Sequence, residues 1–177
     1  MSLLDHRPKR RRLVLAMLAW LPATALAGCL QPVYGPLSEG ASMAGELQAI
    51  AVDPIPNRLG HYLGDELIFA LNGTGAPVTP RYHLIVTVRE TSNSPLIDTV
   101  TGYPTSSTVM VFADYRLVPV GAIEPIFKGT AAVAASYDRT SQRFADVRAA
   151  RDAEIRDART LADAIRTQLA ASFASRT

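Results

Sequence analysis

The chain of 177 residues holds a single cysteine, so no disulfide can form within it and no paired-thiol redox chemistry is available. Long apolar runs are also missing. The most continuous stretch, Leu13 to about Leu26, is broken by Pro22 and Thr24. It falls short of the ~18 to 20 apolar residues that a permanent membrane-spanning helix requires. Nor is there a catalytic constellation of nucleophile with base, paired acid and base, or clustered metal ligands. His61 and His83 fall on different predicted elements without a spaced partner. Asp65 with Glu66 and Asp152 with Glu154 are adjacent or near-adjacent on predicted helices, where such neighbours do not face each other, so they read as solvated charges. Gly73-Thr74-Gly75 follows a predicted helix rather than a strand, which excludes a phosphate-cradling loop. These absences argue against an enzyme and predict no metal site.

What is present begins with a leader. Arg7, Lys9, Arg10, Arg11 and Arg12 precede the apolar stretch, and small residues close it, which is the layout of a secretory signal. The arginine pairs within Arg10 to Arg12 also match a twin-arginine signal, a weak match that any basic leader yields. The leader ends in Leu26-Ala27-Gly28-Cys29, the form of a bacterial lipoprotein processing site. Cleavage of an ordinary signal needs only small side chains, so a cysteine directly after Gly28 calls for a reason of its own: a thiol that accepts lipid. Acyl chains on Cys29 would anchor the protein without crossing the bilayer, since each buried methylene contributes roughly 0.8 kcal/mol and two chains suffice.

Removing residues 1–28 corrects the charge. The whole chain has 18 basic and 16 acidic residues and a formal net charge of +2, which invites a nucleic-acid reading. The leader takes five of the basic residues and one acid, Asp5, leaving 13 basic and 15 acidic residues in the 149 that follow. No nucleic-acid partner is expected of such a domain. Its length suits one core that folds without disulfides.

Residues 29–45, rich in Gly, Pro and Ser, read as a flexible tether, and 46–177 as one domain. Leu47 to Val52 alternates and predicts a first strand, stopped by Pro54 and Pro56. Asn57 is the expected cap of a helix carrying Leu59, Leu63, Leu67 and Leu71, ended by Asn72-Gly73. Asn72-Gly73-Thr74 has the form of a glycosylation sequon, but behind such a leader it is more simply a helix-ending turn. Three stretches of period two follow. Tyr82, Leu84, Val86 and Val88 oppose His83, Ile85, Thr87 and Arg89; Val109, Val111, Ala113, Tyr115 and Leu117 oppose Met110, Phe112, Asp114 and Arg116; Phe127, Ala131, Val133, Ala135 and Tyr137 oppose Lys128, Thr130, Ala132 and Ser136. Ser92 to Ser107 is turn-rich and is expected to project as a loop. From about Ser141 to Ser172, Phe144, Val147, Ile155, Ala158, Ala162, Ile165 and Leu169 mark a second helix. Arg148, Asp152 and Arg156 form a charge ladder on it, joined by Arg159 with Asp163. The expected fold is therefore α+β, a two-layer sandwich: an about four-stranded, mostly antiparallel sheet with two helices on one face, in the order strand-helix-strand-strand-strand-helix. The other face is left open.

Cys29-Leu30-Gln31-Pro32-Val33-Tyr34-Gly35 resembles the Cys-x-x-Pro-x-Tyr-Gly start of the LPS-assembly lipoproteins (the LptE family). So do Ser136-Tyr137-Asp138 through Phe144-Ala145, Ala149 to Glu154 and Leu161 to Ile165. Residues 92–107 carry no matching pattern. The resemblance implies an outer-membrane lipoprotein, lipid-anchored by Cys29 on the periplasmic side, with covalent diacylglycerol and N-acyl chains and no other cofactor. It implies a large outer-membrane β-barrel as partner, in which the protein sits partly as a plug while helping lipopolysaccharide reach the outer leaflet. Leu30 is not the aspartate that retains such proteins at the inner membrane. For lipopolysaccharide contact the candidates are Arg89, Arg116 and Lys128, cations for phosphorylated sugars on a face that also offers Ile85, Met110 and Phe112 to acyl chains. Polar residues on an exposed sheet face also need no special cause. The rival readings are an accessory lipoprotein of another envelope lipid-transport system and a lipoprotein enzyme acting on cell-wall polymers.

Overall fold

The computed structural model describes residues 42–73, 79–94, 96–97, 99–100, 102 and 104–176, all within the unit Pro36–Thr177. The leader, Cys29 and residues 29–41 of the expected tether lie outside the described residues.

Among the described residues three helices and four strands follow in the order α1 (Met43–Gln48), β1 (Ile50–Val52), α2 (Asn57–Asn72), β2 (Tyr82–Asn93), β3 (Ser106–Pro119), β4 (Phe127–Asp138) and α3 (Arg143–Ala174). The strands form one sheet in sequence order. β1 runs parallel to the start of β2, with Ile50 opposite Tyr82 and Val52 opposite Leu84, while β2, β3 and β4 make an antiparallel meander. A parallel pair cannot be joined by a tight turn and needs a crossover, which α2 provides.

Period two decides which face is dry. Leu84 and Val86, then Val109, Val111, Ala113, Tyr115 and Leu117, then Ala131 and Ala135 are buried. They form one core cluster with Leu59, Leu63, Leu67 and Leu71 of α2 and with Ala158, Leu161, Ala162, Ile165 and Leu169 of α3. The two-layer α+β architecture is thus as expected. The leucines of α2 recur on one helical face and contribute roughly 1.5–3 kcal/mol each on burial. That packing holds the helix, because its start is poorly capped. Pro56 occupies the cap position and no side chain bonds the free N–H groups. Asn57, expected to cap, instead begins the helix with φ 74°, a left-handed conformation that asparagine tolerates. Gly73, at φ 63°, ends it as expected.

Several expectations are corrected. The alternation of Leu47 to Val52 does not make one strand: Met43–Gln48 is helical and only Ile50–Val52 pairs in the sheet. Ser42 caps the short helix by accepting the Gly45 N–H at 3.0 Å. Met43 and Leu47, four apart, then face the core. Helical structure is thus present from Met43. The turn-rich segment does not leave the sheet at Ser92: Asn93 pairs with Thr108, and beyond it Ile97 bridges Pro104. The Thr105 N–H donates to the Leu96 carbonyl at 3.0 Å. On α3, Phe144 and Val147 have helical spacing but stand 79% and 51% exposed, so the buried face starts only at Ala153. Arg159 bonds Glu66 of α2 at 3.2 Å rather than Asp163 on its own helix. Of the predicted ladder, Arg156 with Asp152 forms at 2.9 Å.

Candidate functional site

The sheet face away from the helices is a grid whose rows follow from register. Ile85, Arg116 and Lys128 make one row; Thr87, Asp114 and Thr130 the next; then Arg89, Phe112 and Ala132; then Thr91, Met110 and Ala134. Six of these residues, Ile85, Thr87, Asp114, Arg116, Lys128 and Thr130, line a cavity of about 580 Å³.

All three candidate cations stand on this face, and the register brings two of them together. Arg116 lies directly opposite Lys128. Among the described residues neither has an ion-pair partner. Like charges directly opposite on neighbouring strands repel, and here no carboxylate sits between them. Arg89 is held apart, two rows away, where its Nη2 donates to Asp114 Oδ2 at 3.1 Å. Asp114, which the candidate set omits, shares a face with Arg116 by sequence parity alone and is the one acid in these four rows. Past Arg89 the face turns apolar through Phe112, Met110, Ala132 and Ala134, with Phe112 37% exposed. From the Arg116 row to the Met110 row is roughly 20 Å at ~3.3 Å per residue. The face thus sets a cationic stretch beside an apolar one, which gives way in turn to the polar row of Asn93, Thr108 and Ser136; the first two together suit an amphipathic anion.

A second set of ionised groups lies on the helix side. Glu154 was expected to be solvated but is 5% exposed. It accepts from Arg58 at both oxygens, 2.9 Å from Nε and 2.5 Å from Nη2. Its position four before Ala158 and seven before Leu161 would have placed it on the inner face of α3. The hydrogen bond to Glu154 raises the Arg58 pKa above its ordinary value. Burial pushes the carboxyls of Glu90 and Asp157 up, and a hydrogen bond to the Ala135 backbone partly offsets this for Asp157. On α1, Glu46 is buried and bonds Arg81 at 2.7 Å. The Arg58–Glu154 and Arg81–Glu46 pairs tie elements together at the edge of the core.

Among the described residues the two histidines each meet one carboxylate: His83 Nδ1 lies 2.8 Å from Asp53 and His61 Nε2 3.5 Å from Asp65. Neither pair includes a nucleophile. Among the described residues no three His, Cys, Asp or Glu side chains gather as metal ligands, and no helix is long and apolar enough to cross a membrane.

Comparison with curated proteins gave no match. Among solved structures, the fold is similar to that of a candidate lipoprotein from Caulobacter crescentus CB15, with TM-score 0.61 and 22% identity over 73% of this chain and 93% of that one. It is also similar to a minor lipoprotein from Acinetobacter baumannii, with TM-score 0.52 and 15% identity over 70% and 91% of the two chains. Rare lipoprotein B from Shewanella oneidensis gives TM-score 0.51 and 12% identity over 71% and 96%. At these identities the likeness establishes the fold. The lipopolysaccharide-assembly model, LptE, matches residues 47–169, from the end of α1 to the last buried leucine of α3. The chain therefore belongs to the LptE family of lipopolysaccharide-assembly lipoproteins.

Proposed function

We propose that this protein is an outer-membrane lipoprotein, anchored on the periplasmic side through acyl chains on Cys29, that binds lipopolysaccharide on its open sheet face. In this role it assists a large β-barrel translocon, seated partly within it as a plug. The observation that carries the reading is the unneutralised cross-strand pair of Arg116 and Lys128 in the floor of the cavity. A phosphate on the sugar headgroup relieves the repulsion between the two cations and accepts charge-assisted hydrogen bonds from both, roughly twice as strong as neutral ones. Arg89 adds a third cation two rows on. Phe112 and Met110 then lie where the first methylenes of acyl chains run, and their contact removes apolar surface from water at about 25 cal/mol per Å².

The test is binding of purified lipopolysaccharide to the domain and to the Arg116→Ala/Lys128→Ala double variant. Loss of about tenfold in affinity, and a flatter salt dependence, is the expected result. Unchanged binding would remove these residues from the site. Co-isolation of the wild-type protein with an outer-membrane barrel tests the partner; recovery with an inner-membrane transporter complex instead would overturn that part.

A further inference from the structure

We propose that Asp114 is the binding face's own competing anion: its carboxylate holds Arg89 in the free protein and gives it up to a phosphate of the bound ligand. The inference rests on the proposed role of Arg116 and Lys128 in binding phosphorylated sugar and adds to it a device that sets affinity and selects the ligand's charge.

Geometry puts Asp114 in the middle of the cations. Its row lies between the row of Arg116 and Lys128 and the row of Arg89. At roughly 3.3 Å per residue, each neighbouring row on β3 is about 7 Å away along every second position. Its partners across the register are Thr87 and Thr130, hydroxyls without charge. Among the described residues the only cation bonded to it is Arg89, and that contact is a single one at 3.1 Å between side chains 68% and 50% exposed. The Arg58 fork on Glu154, made at two oxygens and largely buried on the acid side, shows what a permanent pair looks like in the same molecule. An exposed, one-point pair is weak, typically within 1 kcal/mol of no contribution, so it is a clasp that a stronger anion can open.

Charge then decides which anion opens it. With Asp114 ionised, the three cations carry a net two positive charges toward solvent. A monocarboxylate offers Arg89 nothing that Asp114 does not. A phosphate monoester brings a charge between one and two and three acceptor oxygens, so it can bridge Arg116 and Lys128 and draw Arg89 from Asp114. The face therefore selects phosphorylated over carboxylated sugars, and Asp114 holds affinity below the maximum the cations allow, which favours release of a ligand that must move on.

The experiment measures affinity for lipopolysaccharide and for the same lipopolysaccharide stripped of its phosphates. The proteins are wild type, Asp114→Asn, Arg89→Ala, the Arg89→Ala/Asp114→Asn double variant and Arg116→Ala/Lys128→Ala. Asparagine keeps the shape of a half-exposed side chain, and thermal melts check that the fold is retained. Asp114→Asn should bind the phosphorylated ligand about three- to tenfold more tightly and the stripped ligand no differently. The gain should shrink when Arg89 is already absent. If Arg116→Ala/Lys128→Ala weakens binding while Asp114→Asn leaves it unchanged or weaker, the clasp is wrong and the proposed site stands. If Asp114→Asn tightens binding while Arg116→Ala/Lys128→Ala does nothing, the anion sits on Arg89 and the proposed site is wrong. An equal gain for the stripped ligand would also overturn the clasp.

Discussion

The ring of Tyr115 on β3 fills the space in which a side chain at Gly129, its direct neighbour across the register on β4, would stand. A Cβ at Gly129 would lie 2.5 Å from Tyr115 Oη and 2.6 Å from Cζ. The phenol then reaches on to donate a hydrogen bond to Gln168 of α3, so one residue without a side chain lets a strand, its neighbour and a helix meet. Gly129→Val should force the ring aside and break that bond, at a cost of about 1–3 kcal/mol. A lowered urea midpoint checks this. Gln168→Ala should cost less in the Gly129→Val background than in wild type, because contacts sharing a partner are not additive.

Burial pushes the Tyr115 hydroxyl up to about 12, which makes stability depend on alkaline pH. An unfolded tyrosine loses its proton near pH 10. Between there and about pH 12 the native state keeps a proton that the unfolded state has released, so unfolding free energy falls as pH rises through that window and is undiminished below it. Tyr115→Phe should flatten the decline. Absorbance of tyrosinate in the folded protein should show a late-titrating residue that this variant lacks.

The faces of β2, β3 and β4 were readable because a half-buried strand writes its burial into every second residue, and Val109, Val111 and Ala113 do so without interruption. α1 was not, because Leu47, Ala49 and Ala51 fit a strand as well as a helix end. What decides there is the Ser42 cap and the contact of Met43 with the core, which alternation does not record. Phe144 and Val147 misled in the other direction: helical spacing marks a stripe but not whether anything lies beneath it. The candidate cations were legible one by one. Their pairing was not, since Arg116 meets Lys128 through a β3–β4 register that the turn at Pro119 to Ile126 sets, and Arg89 meets Asp114 through a second register.

Arg58→Ala should leave Glu154 buried without its countercharge and destabilise the domain by about 1–3 kcal/mol. Adding Glu154→Gln should recover part of the loss, since removing both charges is cheaper than stranding one. Denaturant titrations of the single and double variants provide the measurement.

Asp157 is 2% exposed and its Oδ2 has no hydrogen-bond partner. With its pKa raised by burial, the native state holds a proton more tightly than the unfolded state. The sign is therefore that stability falls as pH rises from the ordinary carboxylate range, about 4, through the raised value. Asp157→Asn should be more stable than wild type at pH 7, with the difference vanishing below about pH 4. An equal or lower melting temperature at neutral pH would contradict the account.

Cys29→Ala should yield a protein that is not processed at the lipoprotein site and does not fractionate with the outer membrane. Radiolabelled palmitate should mark wild type alone. Normal outer-membrane fractionation of the variant would sink the anchor proposal.

The ion pair between Arg58 and Glu154 joins residues 96 positions apart, which ties the start of α2 to α3 around the whole meander. Loop closure over so long a separation must be met before such a contact can form. The β2–β3 and β3–β4 pairings join residues far closer in sequence, so they are expected to form before this ion pair. Its influence then falls chiefly on the rate of unfolding, as for any contact absent from the folding transition state. The arginine fork on buried Glu154 is in that sense a kinetic latch, which is expected to set how long the native chain persists more than how fast it is reached.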